Sequence, residues 1–154
     1  MKTLFNENIT WIPVSDHNIE LRKIADRHYS RKTKGAKKFI GPEEYLALIT
    51  PEGKAGYIWR KSKIEYRKDG QEGIECTLFR NEGPEIYLSS KLILEAEKLA
   101  LEKWKETKRF FTYINPEKIK STYPGFTFIK AGYKTIGRNK TEKLIILEKE
   151  VNNE

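Results

Sequence analysis

The stretch that decides the fold runs from residue 73 to residue 105 and reads GIECTLFRNEGPEIYLSSKLILEAEKLALEKWK. Its first eight residues alternate between the two faces expected of a strand. Gly83 and Pro84 then interrupt the pattern, as turn residues do. From residue 89 to about residue 105 apolar side chains recur at helical spacing, and Ser89 and Ser90 are predicted to cap the helix. The stretch therefore predicts a strand that turns into the strongest helix of the chain.

That helix is apolar over a wide arc. A broad stripe consists of Leu92, Ile93, Ala96, Leu99, Ala100 and Trp104, and a second row contains Leu94 and Leu101. A helix with so wide an apolar surface is expected to pack on more than one side. We also expect Trp59, Trp104, Phe110 and Phe111 in the core.

The rest of the chain alternates strands, turns and shorter helices. Strands are predicted at residues 9–14, 45–49, 55–60, 73–80, 109–114, 133–136 and 143–149, with a weaker one at 63–67. A first helix capped by Ser15 or Asp16 should reach about Tyr29, and a short helix at 116–121 should begin after Asn115. A further helical turn is predicted at 126–131. This order predicts one mixed α/β or α+β domain over residues 1–150, with antiparallel hairpins, a central crossover helix and a frayed tail at 151–154.

Composition narrows the class of protein. Aromatic residues make up 12% of the 154 residues, which argues against disorder because disordered chains are poor in them. The single cysteine, Cys76, excludes an internal disulfide framework and a zinc ribbon. No apolar run reaches the length of a membrane span, and the N-terminus lacks the apolar core of a signal peptide. We therefore expect a cytoplasmic protein.

The charge predicts a polyanionic partner. Thirty Lys and Arg outnumber 22 Asp and Glu, for a net charge of +8. Residues 22–38 hold eight basic residues against one acidic residue, and the basic part at 30–42 is predicted to be a long loop. Such a surface attracts nucleic acid or the phosphates of a cofactor, although a merely solubilising surface is the alternative. The candidate phosphate contacts are Arg27, Arg31, Lys32, Lys34, Lys37 and Lys38.

The second half of the chain resembles the GNAT acyltransferase superfamily. The resemblance is carried by the turn Arg80-Asn81-Glu82-Gly83, by the helix opening at Ser89-Ser90 and by residues 128–133, FIKAGY. It implies a GNAT-like fold that binds acetyl-CoA or another acyl-CoA through Arg80, Asn81, Gly83, Ser89 and Ser90, with Asn115 near the acyl group. The chain departs from the pattern in two places. The turn lacks a second glycine, and Phe128 stands where many members carry a tyrosine acid, so that Tyr123 or Tyr133 would have to substitute.

The first half resembles the phage Mom-like branch of that superfamily through Arg27-His28-Tyr29-Ser30. This resemblance implies modification of adenine bases in DNA and a role for iron. His28 is then a candidate general base or metal ligand, and Glu75 a candidate second ligand. The alternative for His28 is a core histidine on the apolar face of the first helix. Tyr29 would act as an acid or stack on a flipped base, or else pack in the core. Glu75 and Cys76 are neighbours on a strand and so face opposite sides, and Cys76 is expected to be a buried apolar residue.

Three functions remain open at this point. The first is a transferase that modifies a DNA base, the second is an ordinary N-acyltransferase acting on a small-molecule or protein amine, and the third is a non-catalytic nucleic-acid-binding module. The sequence favours them in that order. It leaves the oligomeric state open, a homodimer included.

Overall fold

The computed structural model describes residues 10–27, 44–67, 69–83, 88–117, 125–139 and 143–151. The strands in these ranges are β1 (Ile12–Val14), β2 (Glu44–Ile49), β3 (Ala55–Lys61), β4 (Ile74–Asn81), β5 (Arg109–Ile114), β6 (Lys134–Arg138) and β7 (Ile145–Glu150). They form a seven-stranded sheet of order β1-β2-β3-β4-β5-β7-β6. The helices are α1 (Ile19–Asp26), α2 (Ser89–Lys103) and α3 (Phe126–Lys130). The predicted mixed α+β class is confirmed.

The sheet is antiparallel except at its centre. All neighbouring strands pair antiparallel apart from β4 and β5, which are parallel. A parallel neighbour requires a crossover connection, and α2 provides it. This is the predicted central crossover helix.

Helix α1 begins and ends differently from the prediction. Its N-cap is Asn18, whose side chain accepts a hydrogen bond from the Leu21 amide at 2.8 Å. Ser15 and Asp16 are therefore not the cap. The helix ends at Asp26 rather than near residue 29, because the Arg27 amide turns back to the carbonyls of the last turn. The predicted buried face is confirmed by Leu21, Ile24 and Ala25.

The two faces of the sheet carry two apolar clusters. Leu46 and Leu48 of β2 belong to the cluster under α2, while Ala47 and Ile49 belong to the cluster under α1. This alternation follows from the two-residue period of a strand. On the α1 side the helix lies very close to β3, because a Cβ at Gly56 would lie 2.6 Å from the Leu21 Cδ1 atom.

Helix α2 buries one broad face. Its buried apolar residues are Leu92, Ile93, Ala96 and Ala100, and Trp104 beyond its end is buried as well. Two indole nitrogens fasten the helix to the sheet: Trp11 donates to the Leu92 carbonyl at 2.8 Å and Trp59 to the Ala96 carbonyl at 2.9 Å. The predicted second face is only partly buried. Leu101 packs on the core, but Leu94 is 39% exposed.

Three smaller expectations need correction. Residues 63–67 form no strand but contain a 3-10 turn, Ile64–Tyr66. The first strand is shorter than predicted. Val151 is not frayed, because its amide donates to the Lys108 carbonyl at 2.9 Å; residues 152–154 lie outside the described part.

The proposed short helix after Asn115 can be followed only at its start. Pro116 and Glu117 form a turn, and the residues that follow them, 118–124, lie outside the described ranges. None of the helices in those ranges is long and apolar enough to cross a membrane.

Candidate active site

The parallel strands β4 and β5 separate part-way along their length and form a fork. The two strands pair only through Ile74–Cys76 of β4 and Phe110–Thr112 of β5, although β4 continues to Asn81 and β5 to Ile114. At the end of the pairing, the Thr112 hydroxyl donates to the Cys76 carbonyl at 2.9 Å. The fork is thus bounded by β4 residues 77–81 and β5 residues 113–114. A crevice where parallel strands part is a common ligand site in mixed sheets.

A bulge in β4 lies directly beyond the last paired residue. Trp59 of β3 pairs with Cys76 and Ile58 pairs with Leu78, so Thr77 is an extra residue. The bulge changes which face each later side chain occupies: Cys76 lies under α2, while Leu78 lies in the cluster under α1. Bulges recur beside active sites, where they redirect backbone groups and side chains.

The turn at the open end of the fork is held by Asn81. Its side-chain nitrogen donates to the Ser89 hydroxyl at 3.1 Å, and its side-chain oxygen accepts from the Gly83 amide at 2.9 Å. Ser89 and Ser90 are the first two residues of α2 rather than its cap. The N-cap is Leu88, which provides no side-chain hydrogen bond, and the first turn contains no acidic residue. The positive end of the α2 dipole therefore faces the turn at Asn81, and no acidic side chain in the first helical turn compensates it.

Glu82 lies between two arginines on the other side of the turn. Arg27 Nε and Nη2 donate to its two carboxylate oxygens at 2.8 and 2.7 Å, and Arg80 Nε donates to Oε2. The hydrogen bond from Arg27, together with that from Arg80, lowers the pKa of Glu82 to about 2. Arg27 was predicted to contact nucleic acid and Arg80 the cofactor. The structure joins them through a carboxylate that the sequence analysis did not single out, although Glu82 is the acidic residue of the motif itself.

Glu75 is engaged by arginines rather than by other metal ligands. Its Oε1 atom lies 3.2 Å from Arg60 Nη2 and 2.8 Å from Arg67 Nη1, and the residue is 8% exposed. Among the described residues no three His, Cys, Asp or Glu side chains come together as a metal group. Glu75 faces away from Cys76, as expected for neighbours on a strand: it contacts Arg67, which lies over the ring of Phe111, whereas Cys76 belongs to the cluster under α2.

Cys76 is a buried apolar residue, as predicted. It is 4% exposed, and burial raises the pKa of its thiol to about 12. A thiol is nucleophilic as the thiolate, so Cys76 is unreactive near neutral pH.

Tyr133 lies in the core beside Phe128. Their rings meet edge to face with centroids 5.1 Å apart, and Tyr133 is 3% exposed. Burial raises the pKa of its hydroxyl well above the ordinary value, and the nearby Glu97 carboxylate raises it further. In the described part of the chain this hydroxyl lies near Glu97 without a hydrogen bond of good geometry. Tyr133 therefore keeps its proton across the neutral range.

Asn115 follows the last residue of β5, at the open end of the fork. Its side-chain oxygen accepts a hydrogen bond from the Glu117 amide at 3.0 Å, which closes a tight turn at Pro116. The remaining predicted site residues lie outside the described ranges. They are His28, Tyr29, Arg31, Lys32, Lys34, Lys37 and Lys38, together with Tyr123.

Comparison with known proteins identifies the fold. The sequence matches no protein-family model and no curated protein. The structure matches that of a Klebsiella pneumoniae protein provisionally assigned as an acyl-CoA N-acyltransferase, with a TM-score of 0.62 and 13% identity. The match covers 93% of this chain and 97% of that one. The chain thus has a GNAT acyltransferase fold, as the sequence resemblance implies, and the match gives no support to the Mom-like branch in particular.

Proposed function

We propose that this protein is an acyl-CoA-dependent N-acyltransferase that acylates an amine. The observation that carries the proposal is the fork between β4 and β5, which opens onto the turn before α2. A gap between two parting strands suits an extended thioester arm, and a helix N-terminus at its open end suits phosphate groups. The likeness of the fold to an acyl-CoA N-acyltransferase supports the same conclusion.

The residues at the turn fit a phosphate-bearing ligand. Ser89 and Ser90 belong to the first turn of α2, whose amides point toward the N-terminal end. Asn81 positions this turn by holding both Ser89 and Gly83. Arg80 supplies a positive charge next to it. We therefore assign these residues to the cofactor end of the site.

The chemistry of the proposed reaction is a thioester aminolysis. Acyl-CoA supplies the activated acyl group, whose carbon–sulfur bond breaks as the bond to the amine nitrogen forms. A neutral base must take the proton released by the amine, and His28 is the proposed base because imidazole titrates near neutral pH. Tyr133, which holds its proton, is the proposed donor for the departing sulfur in place of a tyrosine at Phe128. Asn115 and Tyr29 are proposed to position the acceptor.

A DNA base is the second candidate acceptor, and the net charge of +8 is what favours it. Of the six basic residues assigned to phosphate contacts, Arg27 is the one that lies in the described ranges, and it is paired with Glu82. For Glu75, the two arginines already satisfy one carboxylate oxygen, so we assign it no metal step. An acyl-CoA enzyme that acts on an ordinary amine needs neither DNA nor iron.

The test measures binding and turnover on the same protein. Acetyl-CoA at 100 times its dissociation constant should stabilise the fold by about 2.7 kcal/mol, seen as a higher melting temperature. Release of free coenzyme A should then depend on an added amine. Arg80→Gln should weaken the thermal shift, while Arg138→Gln, which removes an exposed charge from the far edge strand β6, should not.

Digestion of DNA from expressing cells, followed by mass spectrometry of its nucleosides, decides between the two acceptors. A modified adenine would favour the DNA reaction over the ordinary amine. Absence of any thermal shift with acetyl-CoA would contradict the acyl-CoA proposal and favour a non-catalytic binding module.

A further inference from the structure

The carboxylate of Glu82 occupies the donor groups that a phosphate would need. A guanidinium binds carboxylate and phosphate through the same paired N–H groups. Arg27 gives its Nε and Nη2 edge to Glu82, and Arg80 gives its Nε. Both arginine side chains are accessible, at 47% and 39% exposure, while Glu82 is 24% exposed. A phosphate arriving at this turn therefore meets two cations that already hold an anion.

The position of Glu82 is set by backbone contacts that hold it in the turn. Its amide donates to the Lys54 carbonyl at 2.7 Å, which ties the turn to the β2–β3 connection. Arg27 is held in reach because α1 lies against Gly56, where even a methyl group would collide with Leu21. The carboxylate thus stays at a high local concentration beside both arginines, and an external anion competes with an intramolecular one.

We propose that Glu82 is an internal competitor for the phosphate groups of the acyl-CoA substrate and so sets the affinity of the site. The inference rests on the proposed function, because it assigns the turn at Arg80 to the phosphate-bearing end of the ligand. When a phosphate binds, one or both guanidinium groups exchange Glu82 for the ligand. The same exchange applies to the product coenzyme A, which carries the same phosphates. Glu82 therefore weakens product binding and speeds its release.

Arg27, Arg80 and Glu82 together carry a net charge of +1, which becomes +2 when Glu82 is neutralised. An added anion then meets free donors and no adjacent carboxylate. Removing a like charge a few ångströms from a bound anion should strengthen binding by about tenfold at moderate salt. This gain in affinity should fall as the salt concentration rises, because the side chains of Arg27, Arg80 and Glu82 are partly exposed and their charges are screened. A ligand without phosphates, such as pantetheine, should gain nothing.

Calorimetric titration of wild type, Glu82→Gln and Glu65→Gln with coenzyme A, pantetheine and inorganic pyrophosphate tests the proposal. Glu65 is exposed in the 3-10 turn at the opposite end of β3, so its substitution controls for net charge alone. We expect Glu82→Gln to bind coenzyme A and pyrophosphate about tenfold more tightly, with dissociation of coenzyme A slowed in stopped-flow measurements. Glu65→Gln should match wild type.

Equal or weaker binding of both anions by Glu82→Gln overturns the proposal, since Glu82 would then orient the arginines rather than compete for them. A gain for pyrophosphate without any binding of coenzyme A supports the competition but contradicts the acyl-CoA function. Binding of neither ligand by either protein overturns both.

Discussion

Lys149 of β7 lies 2.8 Å from the Glu97 carboxylate of α2 and also donates to the Ala131 carbonyl at 2.9 Å. One ammonium group thereby joins β7, the central helix and the end of α3. Glu97 is 6% exposed, and burial raises the pKa of its carboxyl although Lys149 opposes the shift. Lys149 therefore compensates a buried charge and holds α3 next to α2, beside the aromatic pair of Phe128 and Tyr133.

Lys149→Met should destabilise the protein by about 3 kcal/mol at pH 7, because a buried carboxylate loses its cation. The pKa of Glu97 in the folded state is raised above its ordinary value of 4.5. Its contribution to stability is thus fully present below 4.5 and is lost as pH rises through the folded-state pKa. Without Lys149 this pKa rises further. The penalty should therefore shrink between pH 7 and pH 5 in urea unfolding.

Two variants control this measurement. Lys98→Met removes a charge from an exposed position of α2 and should cost little at either pH. Glu97→Gln combined with Lys149→Met should recover part of the lost stability, since no buried charge remains. An equal penalty at pH 7 and pH 5 would show that Lys149 acts through packing alone.

Cys76 should be inert as a nucleophile. Its thiol is 4% exposed with a pKa raised to about 12 by burial, so almost none is ionised at neutral pH. A thiol reagent should label it only as fast as the protein unfolds. Cys76→Ala should cost about 1 kcal/mol through a small cavity and should retain acyl transfer. An acyl adduct on Cys76 in the intact mass spectrum would contradict this expectation.

Asp69 should make stability depend on acid pH. Its carboxylate accepts two hydrogen bonds from Arg67 at 2.8 and 2.6 Å, one from the Tyr113 hydroxyl at 2.7 Å and one from the Gln71 amide at 3.0 Å. The bonds from Arg67, followed by that from Tyr113, lower the pKa of Asp69 below its ordinary 3.8. Its stabilisation is therefore present above pH 3.8 and is lost as pH falls through the folded-state value.

Asp69→Asn should consequently cost about 2 kcal/mol at pH 7, the typical worth of hydrogen bonds to a charged group. The difference from wild type should begin to narrow as both proteins are titrated below pH 3.8 toward pH 2. Glu72→Gln, an exposed neighbour in the same connection, should follow wild type throughout. If the stability difference between wild type and Asp69→Asn stayed constant across this pH range, the effect would come from the geometry of the asparagine side chain and not from the lost charge.

Local patterns predicted most of the elements because those elements have clear periods. The alternation at residues 73–80 and the apolar spacing from Ser89 depend on nearby residues alone. The predicted strand at residues 63–67 was wrong because its structure depends on distant residues, which local patterns do not register. Arg67 there is drawn to Asp69 and Glu75 and lies over the ring of Phe111, a tertiary arrangement with no sequence period.

The candidate site was predicted less completely, since it is built from contacts between distant segments. Arg27 and Glu82 are 55 residues apart, and no spacing rule connects them. The bulge at Thr77 moves Leu78 to the face opposite Cys76, whereas a strict alternation would keep both on one face. The fork depends on where the pairing of β4 and β5 stops. By contrast, the contact between Asn81 and Ser89 joins two residues that are close in sequence, and both could be named as candidates from the turn motif for that reason.

Tyr133→Phe separates a catalytic hydroxyl from a structural one. The Tyr133 hydroxyl is buried and, in the described part of the chain, makes no hydrogen bond of good geometry, so its removal takes no well-formed bond away. Loss of an unsatisfied buried polar group should leave stability unchanged or raise it by about 1 kcal/mol. If this hydroxyl supplies the proton to the departing sulfur, kcat should nevertheless fall by about 10²-fold. Tyr57→Phe is the matched control, because the Tyr57 hydroxyl is also buried without a hydrogen bond of good geometry among the described residues and has no assigned role.

We therefore expect Tyr133→Phe to have a melting temperature no lower than that of wild type and to bind acetyl-CoA as tightly as wild type, but to turn it over slowly. A better leaving group than a thiolate should narrow its deficit, since less proton donation is then required. The Tyr57 variant should keep wild-type kcat with the same gain in melting temperature. If the Tyr133 variant instead turned over at the wild-type rate, the proton donor would have to be sought at Tyr123, and Tyr133 would be a core residue whose ring packs against Phe128.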